Sequence, residues 1–139
     1  MKKLFLVMLC TYTLFSSEIA TVKLIDGDVV AIADGKKQTL KAGSKLDEYD
    51  VVQTSAKSSI TIIFNDSSVL VLGENSIMNL KRYLFKPKEG NYDFQLFLKQ
   101  GSASFESGDI GKISPKDFIF ETPQGTVAIR GTKFAVKLD

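Results

Sequence analysis

Histidine is absent from all 139 residues, and cysteine occurs once, at Cys10. Without imidazole no Ser-His-Asp or Cys-His relay can activate a nucleophile. The soft and imidazole ligands that zinc and copper sites use are missing as well, and a lone cysteine closes no intramolecular disulfide. Proline appears only three times, and there is no proline-rich linker, heptad repeat or long run of like charge. What remains is the length of one ordinary domain, to be held together by its core alone.

The N-terminus is the one compositionally distinct segment. MKKLFLVMLCTYTLFSS places Lys2 and Lys3 ahead of an apolar stretch from Leu4 to Phe15. That is the layout of a secretory signal, and it is shorter than the ~20 apolar residues of a membrane span. Residues 1–17 are therefore expected to be a signal peptide, with cleavage as late as residue 20, because Ser16, Ser17 and Ala20 each offer one of the small residues a peptidase requires. Left uncut, the same segment is an N-terminal membrane anchor. Cys10 reads as a signal-region residue, since Leu9 is a poor neighbour for a lipidated cysteine and apolar sequence continues past it. Residues 18–139 are expected to form the exported domain, periplasmic or secreted. Removing Lys2 and Lys3 leaves 16 of the 18 basic residues against 16 acidic ones, a formal charge of zero. Nucleic acid is not expected as a partner, because neutralising phosphates requires a basic excess.

Past the signal, short segments rich in Val, Ile, Thr, Phe and Tyr alternate with turn residues, which is an all-β pattern. Strands are expected near residues 21–25, 28–33 and 37–41, with Asp34-Gly35 as a tight hairpin turn and Gly43 as a second turn. Ile60, Ile62 and Phe64 alternate along one face before Asn65-Asp66-Ser67-Ser68 turns the chain into Val69–Leu72. Gly73-Glu74-Asn75-Ser76 turns it again into a strand from Ile77 through Phe85, up to Pro87, after which KPKEGN supplies a polar connection. Tyr92, Phe94, Leu96 and Leu98 then form one face of a strand that Gly101 ends. Ser102–Asp117 reads as a brief strand loosening into a mobile loop, and Phe118 and Phe120 lie on one more strand before the Thr122-Pro123-Gln124-Gly125 turn. The fold class expected is a single domain of short antiparallel strands and hairpins, solenoid-like or sandwich-like.

The stretch TPQGTVAIRGTKFAVKL, residues 122–138, holds an irregularity. Val127 and Ile129 share the core side at odd positions, whereas Phe134, Val136 and Leu138 share it at even ones. One residue is absorbed between them, by a β-bulge or a sheet corner, and Gly131 is the residue free to take the unusual dihedrals. Arg130 sits at that bend, where its guanidinium either ties down a carboxylate or backbone carbonyls, or faces a partner as an anion-binding contact.

These residues carry a family resemblance. TPQGTVAIRGTKFAV is similar to the signature near the C-terminal part of FecR-type domains, in which a Thr-Pro turn and a glycine precede Arg-Gly-Thr, one variable residue and Phe. Thr122, Pro123, Gly125, Arg130, Gly131, Thr132 and Phe134 are the matching positions. Upstream, Asp50-Val51-Val52, Thr54, Ser58, the Ile60–Phe64 strand, Asp66, Ser68, Leu72 and Asn75-Ser76 resemble the family's central pattern, with Ser67 where a glycine is common. The likeness covers most of residues 22–138. It implies an all-β, extracytoplasmic domain that serves protein contact and signalling. In long family members such a domain connects an outer-membrane receptor to a cytoplasmic regulator of a sigma factor. This sequence reads as a short stand-alone member, without a cytoplasmic segment before the apolar stretch or a receptor-facing domain after Asp139, so complete transmembrane signalling by this chain is not expected.

Other chemistry is weakly signalled. Asp26, Asp28, Asp47, Glu48, Asp50, Glu106 and Asp109 are acids available for carboxylate catalysis, but nothing in their spacing selects a glycosidase pair. Asp26-Gly27-Asp28 lacks the alternating ligands and terminal acid of a calcium loop. Singly scattered glycines build no phosphate cradle, and period-two placement of the ten phenylalanines and four tyrosines points to core packing rather than a sugar platform. No catalytic residue, cofactor or metal is expected. The leading expectation is a non-catalytic module that binds another envelope protein; a small-ligand or glycan binder and a carboxylate-based enzyme are the alternatives. The parity change predicts that Gly131→Val lowers the melting temperature far more than Lys133→Ala; equal, small effects would reject the irregularity.

Overall fold

A computed structural model describes residues 18–127 and 132–138. In chain order the strands are β1 (Glu18–Asp26), β2 (Val29–Ala33), β3 (Lys36–Thr39), β4 (Lys45–Asp47), β5 (Val51–Thr54), β6 (Ser59–Phe64), β7 (Val69–Leu72), β8 (Ile77–Lys86), β9 (Asn91–Gln100) and β10 (Ser102–Glu106). A short helix α1 (Asp109–Ile113) and a 3-10 turn at Pro115–Asp117 follow, then β11 (Phe118–Thr122), β12 (Gly125–Val127) and β13 (Lys133–Lys137). Asp34 and Gly35 both have positive φ, +51° and +75°, the conformation that a two-residue hairpin between right-twisted strands requires. Ser67, at φ +69°, occupies the left-handed region that glycine would take without strain.

Two sheets stack around one apolar core. The first has the order β13-β10-β7-β6-β1-β4, the second β12-β11-β9-β8-β5-β2-β3. Beyond the opening hairpins, each later strand is laid on the outer side of an earlier one in both sheets, so the sandwich grows from the β3/β4 end toward the β12/β13 end. This is the solenoid-like element of the fold. Two features differ from the sequence-based expectation. β11 pairs with β9 in parallel, Phe118 beside Phe94 and Phe120 beside Leu96, because the chain visits the first sheet as β10 and returns through α1, and such a crossover restores the original strand direction. The segment expected to be a mobile loop instead holds α1 and the 3-10 turn, with Ile110 fully buried. β4 and β5 lacked a sequence signal of their own, being three and four residues long.

Alternation places Ile60, Ile62 and Phe64 of β6 against Phe94, Leu96 and Leu98 of β9, all at most 2% exposed. β8 changes parity: Met78 and Leu80 face inward, then a register shift between Leu80 and Arg82 brings Tyr83 and Phe85 to the core side. Glu48 accepts the Tyr83 N–H (2.8 Å) there. Aromatic rings bridge the sheets in succession. Phe64 lies 4.8 Å from Phe94, Phe105 stacks on Phe118 at 4.4 Å, and Phe120 meets Phe134 edge-on at 5.1 Å. Such pairs add about 0.5–1.5 kcal/mol each beyond area burial.

The crossings between sheets leave peptide groups outside the ladders, and buried serines satisfy them in a recurring way. Ser58 Oγ accepts the Asp28 N–H (2.9 Å) and donates to the Ala56 carbonyl (3.1 Å). Ser76 Oγ accepts the Ser102 N–H (3.0 Å), with the carbonyl oxygens of Glu74 and Ser102 in reach of its proton. Ser68 Oγ accepts the Gly108 N–H (2.9 Å) and donates to Asp66 Oδ2 (2.8 Å). Asp66 itself, fully buried, receives four bonds, from the Ser68 N–H and Oγ, the Tyr83 hydroxyl and the Ile110 N–H, and so pins α1 to the β6–β7 hairpin. Gly108 makes this approach feasible: a Cβ there would lie 2.1 Å from the Asp66 carbonyl oxygen. Removing one such hydroxyl strands buried polar groups, at a cost of about 1–3 kcal/mol. Chemical denaturation of Ser76→Ala is expected to show that loss, and Ser104→Ala, on an outward-facing position of β10, a change within about 0.5 kcal/mol.

Candidate interaction surface

Among the described residues each sheet ends in two strands with one unpaired side. At the early end these are β3, whose four residues are all exposed and include Lys36 and Lys37, and the three-residue β4. At the late end they are the three-residue β12 and β13, which at five residues is the longest of the four. β13 pairs with β10 from Ser102 beside Lys137 to Glu106 beside Lys133. The Thr132 carbonyl accepts the Ser107 N–H (2.7 Å), and the Leu138 N–H donates to the Gly101 carbonyl (2.8 Å). Even-numbered residues therefore turn their peptide groups toward β10, and those of Lys133, Ala135 and Lys137 point away from the sheet. Among the described residues nothing pairs with that side.

The sequence-derived motif lies at this late end. Thr122 Oγ1 accepts the Gln124 N–H (3.1 Å) and donates to the Gly125 carbonyl (3.1 Å), fixing the β11–β12 turn through Pro123, and Gly125 has φ +145°. Phe134 is half-buried against Phe105, Phe118 and Phe120, so it anchors the end strand. Thr132 is exposed. Arg130 and Gly131 lie outside the described residues. On either side of them, Val127 at an odd position and Phe134, Val136 and Leu138 at even ones pack on the core, and β12 belongs to the second sheet while β13 belongs to the first. The chain thus passes from one sheet to the other between Val127 and Thr132, and the expected irregularity itself lies outside the described residues.

Three shallow depressions converge beside the end of β13. One of about 250 Å³ lies between Lys99, Gly101, Pro123, Gln124 and Leu138. A second, about 360 Å³, runs over Val71, Gly73, Ser104 and Ala135 to Lys137, and a third, about 460 Å³, over Asn75, Gln100, Ser102, Lys137 and Leu138. Small residues create them: glycine, serine and alanine leave the outer surface of β7, β10 and β13 low next to the open side. Sequence reasoning read Leu138 as a core-side residue but did not group it with Lys137 and Ser102, because only the pairing of β13 with β10 brings them together.

The candidate acids are distributed over several corners of the sandwich. Asp28 belongs to the Ser58 corner, and the Asp109 N–H donates to the Asp66 carbonyl (2.9 Å). Asp47, Glu48 and Asp50 share the β4–β5 corner, where Asp50 Oδ2 accepts the Asp47 N–H (2.9 Å). Among the described residues no group of three acids is placed to hold a metal, and no helix is long and apolar enough to cross a membrane. Burial pushes the Tyr83 hydroxyl well above its ordinary range, and the Asp66 charge adds to the effect, so it stays a proton donor. Burial also raises the Asp50 carboxyl, opposed by the Asp47 N–H and reinforced by the charges of Asp47 and Asp34. A carboxyl raised on folding is least costly when protonated, so its stabilising protonation is lost as pH climbs through the raised value. Asp50→Asn, whose amide oxygen can still accept the Asp47 N–H, is expected to raise the melting temperature at neutral pH, with the gain shrinking as the buffer is made acidic.

A family model described as FecR protein matches residues 50–139, which takes in β5 to β13 and the whole late end. The match starts later than the likeness read from residue 22 onward, although β1 to β4 complete both sheets and supply Val22, Val29 and Leu46 to the core. No curated protein and no solved structure matches the chain.

Proposed function

Because the chain belongs to the FecR family, whose members act in signalling and sensing at the cell envelope, we propose that it is an exported, non-catalytic module that binds another envelope protein. The observation that supports this most directly is the late end of the sandwich. There the described part of the family motif, two strand sides with no partner among the described residues and three depressions occur together over a packed aromatic base. An open strand side offers backbone donors and acceptors to a partner. The base beneath it is packed, with Phe134 set against Phe105, Phe118 and Phe120. The absence of histidine removes the commonest general base, and the buried hydroxyls of Ser58, Ser68 and Ser76 are engaged in holding corners. Residues 1–17 fit this reading as the export signal, leaving 18–139 as the working domain.

Site-specific photo-crosslinking in the intact envelope tests the proposal, with the probe placed in turn at Thr39, Gln53, Thr126 and Ala135. The same envelope protein is expected in adducts from at least one position. Loss of all adducts, together with a defined glycan that raises the melting temperature, would replace the reading with ligand binding.

A further inference from the structure

Resting on the reading of this chain as a protein-binding module, we infer that β13 is the docking strand and that its partner is an extended segment with acidic residues four positions apart and apolar residues at the two inward positions between them. On a strand, residues two apart share a face. Lys133, Ala135 and Lys137 therefore line the outer face of β13, all exposed, while Phe134 and Val136 turn inward and remain only half-buried. An added strand would extend both rows. Its residues beside Lys133 and Lys137 are favoured when acidic, since opposite charges directly across a pair stabilise and like charges destabilise it. Its inward residues would cover the exposed parts of Phe134 and Val136. The residue beside Ala135 has room for a branched side chain over the low surface formed by Gly73, Ser104 and Ala135.

The charge pattern also selects against competing occupants. Two copies of β13 paired antiparallel about Ala135 would set Lys133 against Lys137 twice. Terminal lysines on an open strand are a common guard against such self-association, and the same guard leaves acidic strands welcome. Glu106 is the register neighbour of Lys133 on β10, yet among the described residues neither Lys133 nor Lys137 forms an ion pair. The other end strands fit the role less well: β4 and β12 are three residues long, and β3 has no inward residue that is even half-buried.

Hydrogen exchange on the purified protein tests this with two blocked peptides, one containing Glu-Val-Thr-Val-Glu and the other Lys-Val-Thr-Val-Lys. The acidic peptide is expected to slow exchange of the Lys133, Ala135 and Lys137 amides and to leave Phe134 and Val136, already bonded to β10, unchanged. It should bind about tenfold tighter than the basic peptide, and the double variant Lys133→Glu, Lys137→Glu should reverse that order. Lys133→Glu faces Glu106 across the pair with β10, so a cooperative melting curve will show that the variant folds. Protection at β3 instead of β13, equal affinity for the two peptides, absence of binding, or protection of the same three amides by self-association would each overturn the inference. Crosslinks from Thr39 or Gln53 alone would sink this docking strand while leaving the broader protein-binding proposal in place. Charge-dependent peptide binding at β13 without any envelope crosslink would do the reverse.

Discussion

Among the described residues, passages of the chain from one sheet to the other carry peptide groups past the end of an apolar core, where an unpaired N–H or carbonyl costs about as much as a lost hydrogen bond. Ser58, Ser68 and Ser76 meet this constraint with the same device, a buried hydroxyl that accepts an N–H from a corner distant in sequence and donates locally. Serine suits the role because it is small and both donates and accepts. Glycine at the facing corner lets the two backbones approach, as Gly101 and Gly108 do; a Cβ on Gly101, which has φ +92°, would come within 2.5 Å of the Ser76 Cα. Without these joints the sheets could still collapse on each other, but the register in which they stack would be less defined.

With the corners fixed, the core can be simple. Isoleucine, leucine and phenylalanine at alternate positions fill the space between the sheets. The rings from Phe64 to Phe134 follow one another along the direction in which strands are added. The last ring lies on the last strand of the first sheet. The aromatic row therefore reaches the open end and braces β13 from beneath while leaving its outer side available. Stability and accessibility thus meet in one strand, with even-numbered residues serving the fold and odd-numbered ones facing outward.

Much of this was legible in the sequence because period-two alternation is a local signal. Ile60-Ile62-Phe64 and Phe94-Leu96-Leu98 announce their inward faces, and Asp34-Gly35 announces its turn. What was not legible depends on distant partners. Ser102–Asp117 looked like a loop because glycine, serine and proline dominate it; the force that orders it comes from the Asp66 carboxylate, 44 residues before Ile110. The parallel placement of β11 beside β9 follows from how many times the chain changes sheets, which alternation does not encode. At the candidate surface, the Thr-Pro turn and Phe134 carried local signals, whereas the grouping of Gly101, Ser102 and Leu138 arises from the pairing of β10 with β13.

The two ends of the sandwich handle open strand sides differently, and the difference bears on recognition. β3 is exposed on both faces and rich in lysine, so a strand added there would gain backbone bonds but little apolar burial. β13 offers the same kind of backbone row with Phe134, Val136 and Leu138 packed on the core beneath it, so an added strand gains burial as well. Backbone bonding alone is indifferent to sequence; charge and side-chain fit supply selectivity. Placing a lysine at each end of an otherwise apolar strand lets one strand resist its own copies and favour an acidic visitor. Among the described residues this economy belongs to a strand that is paired and packed from one side only.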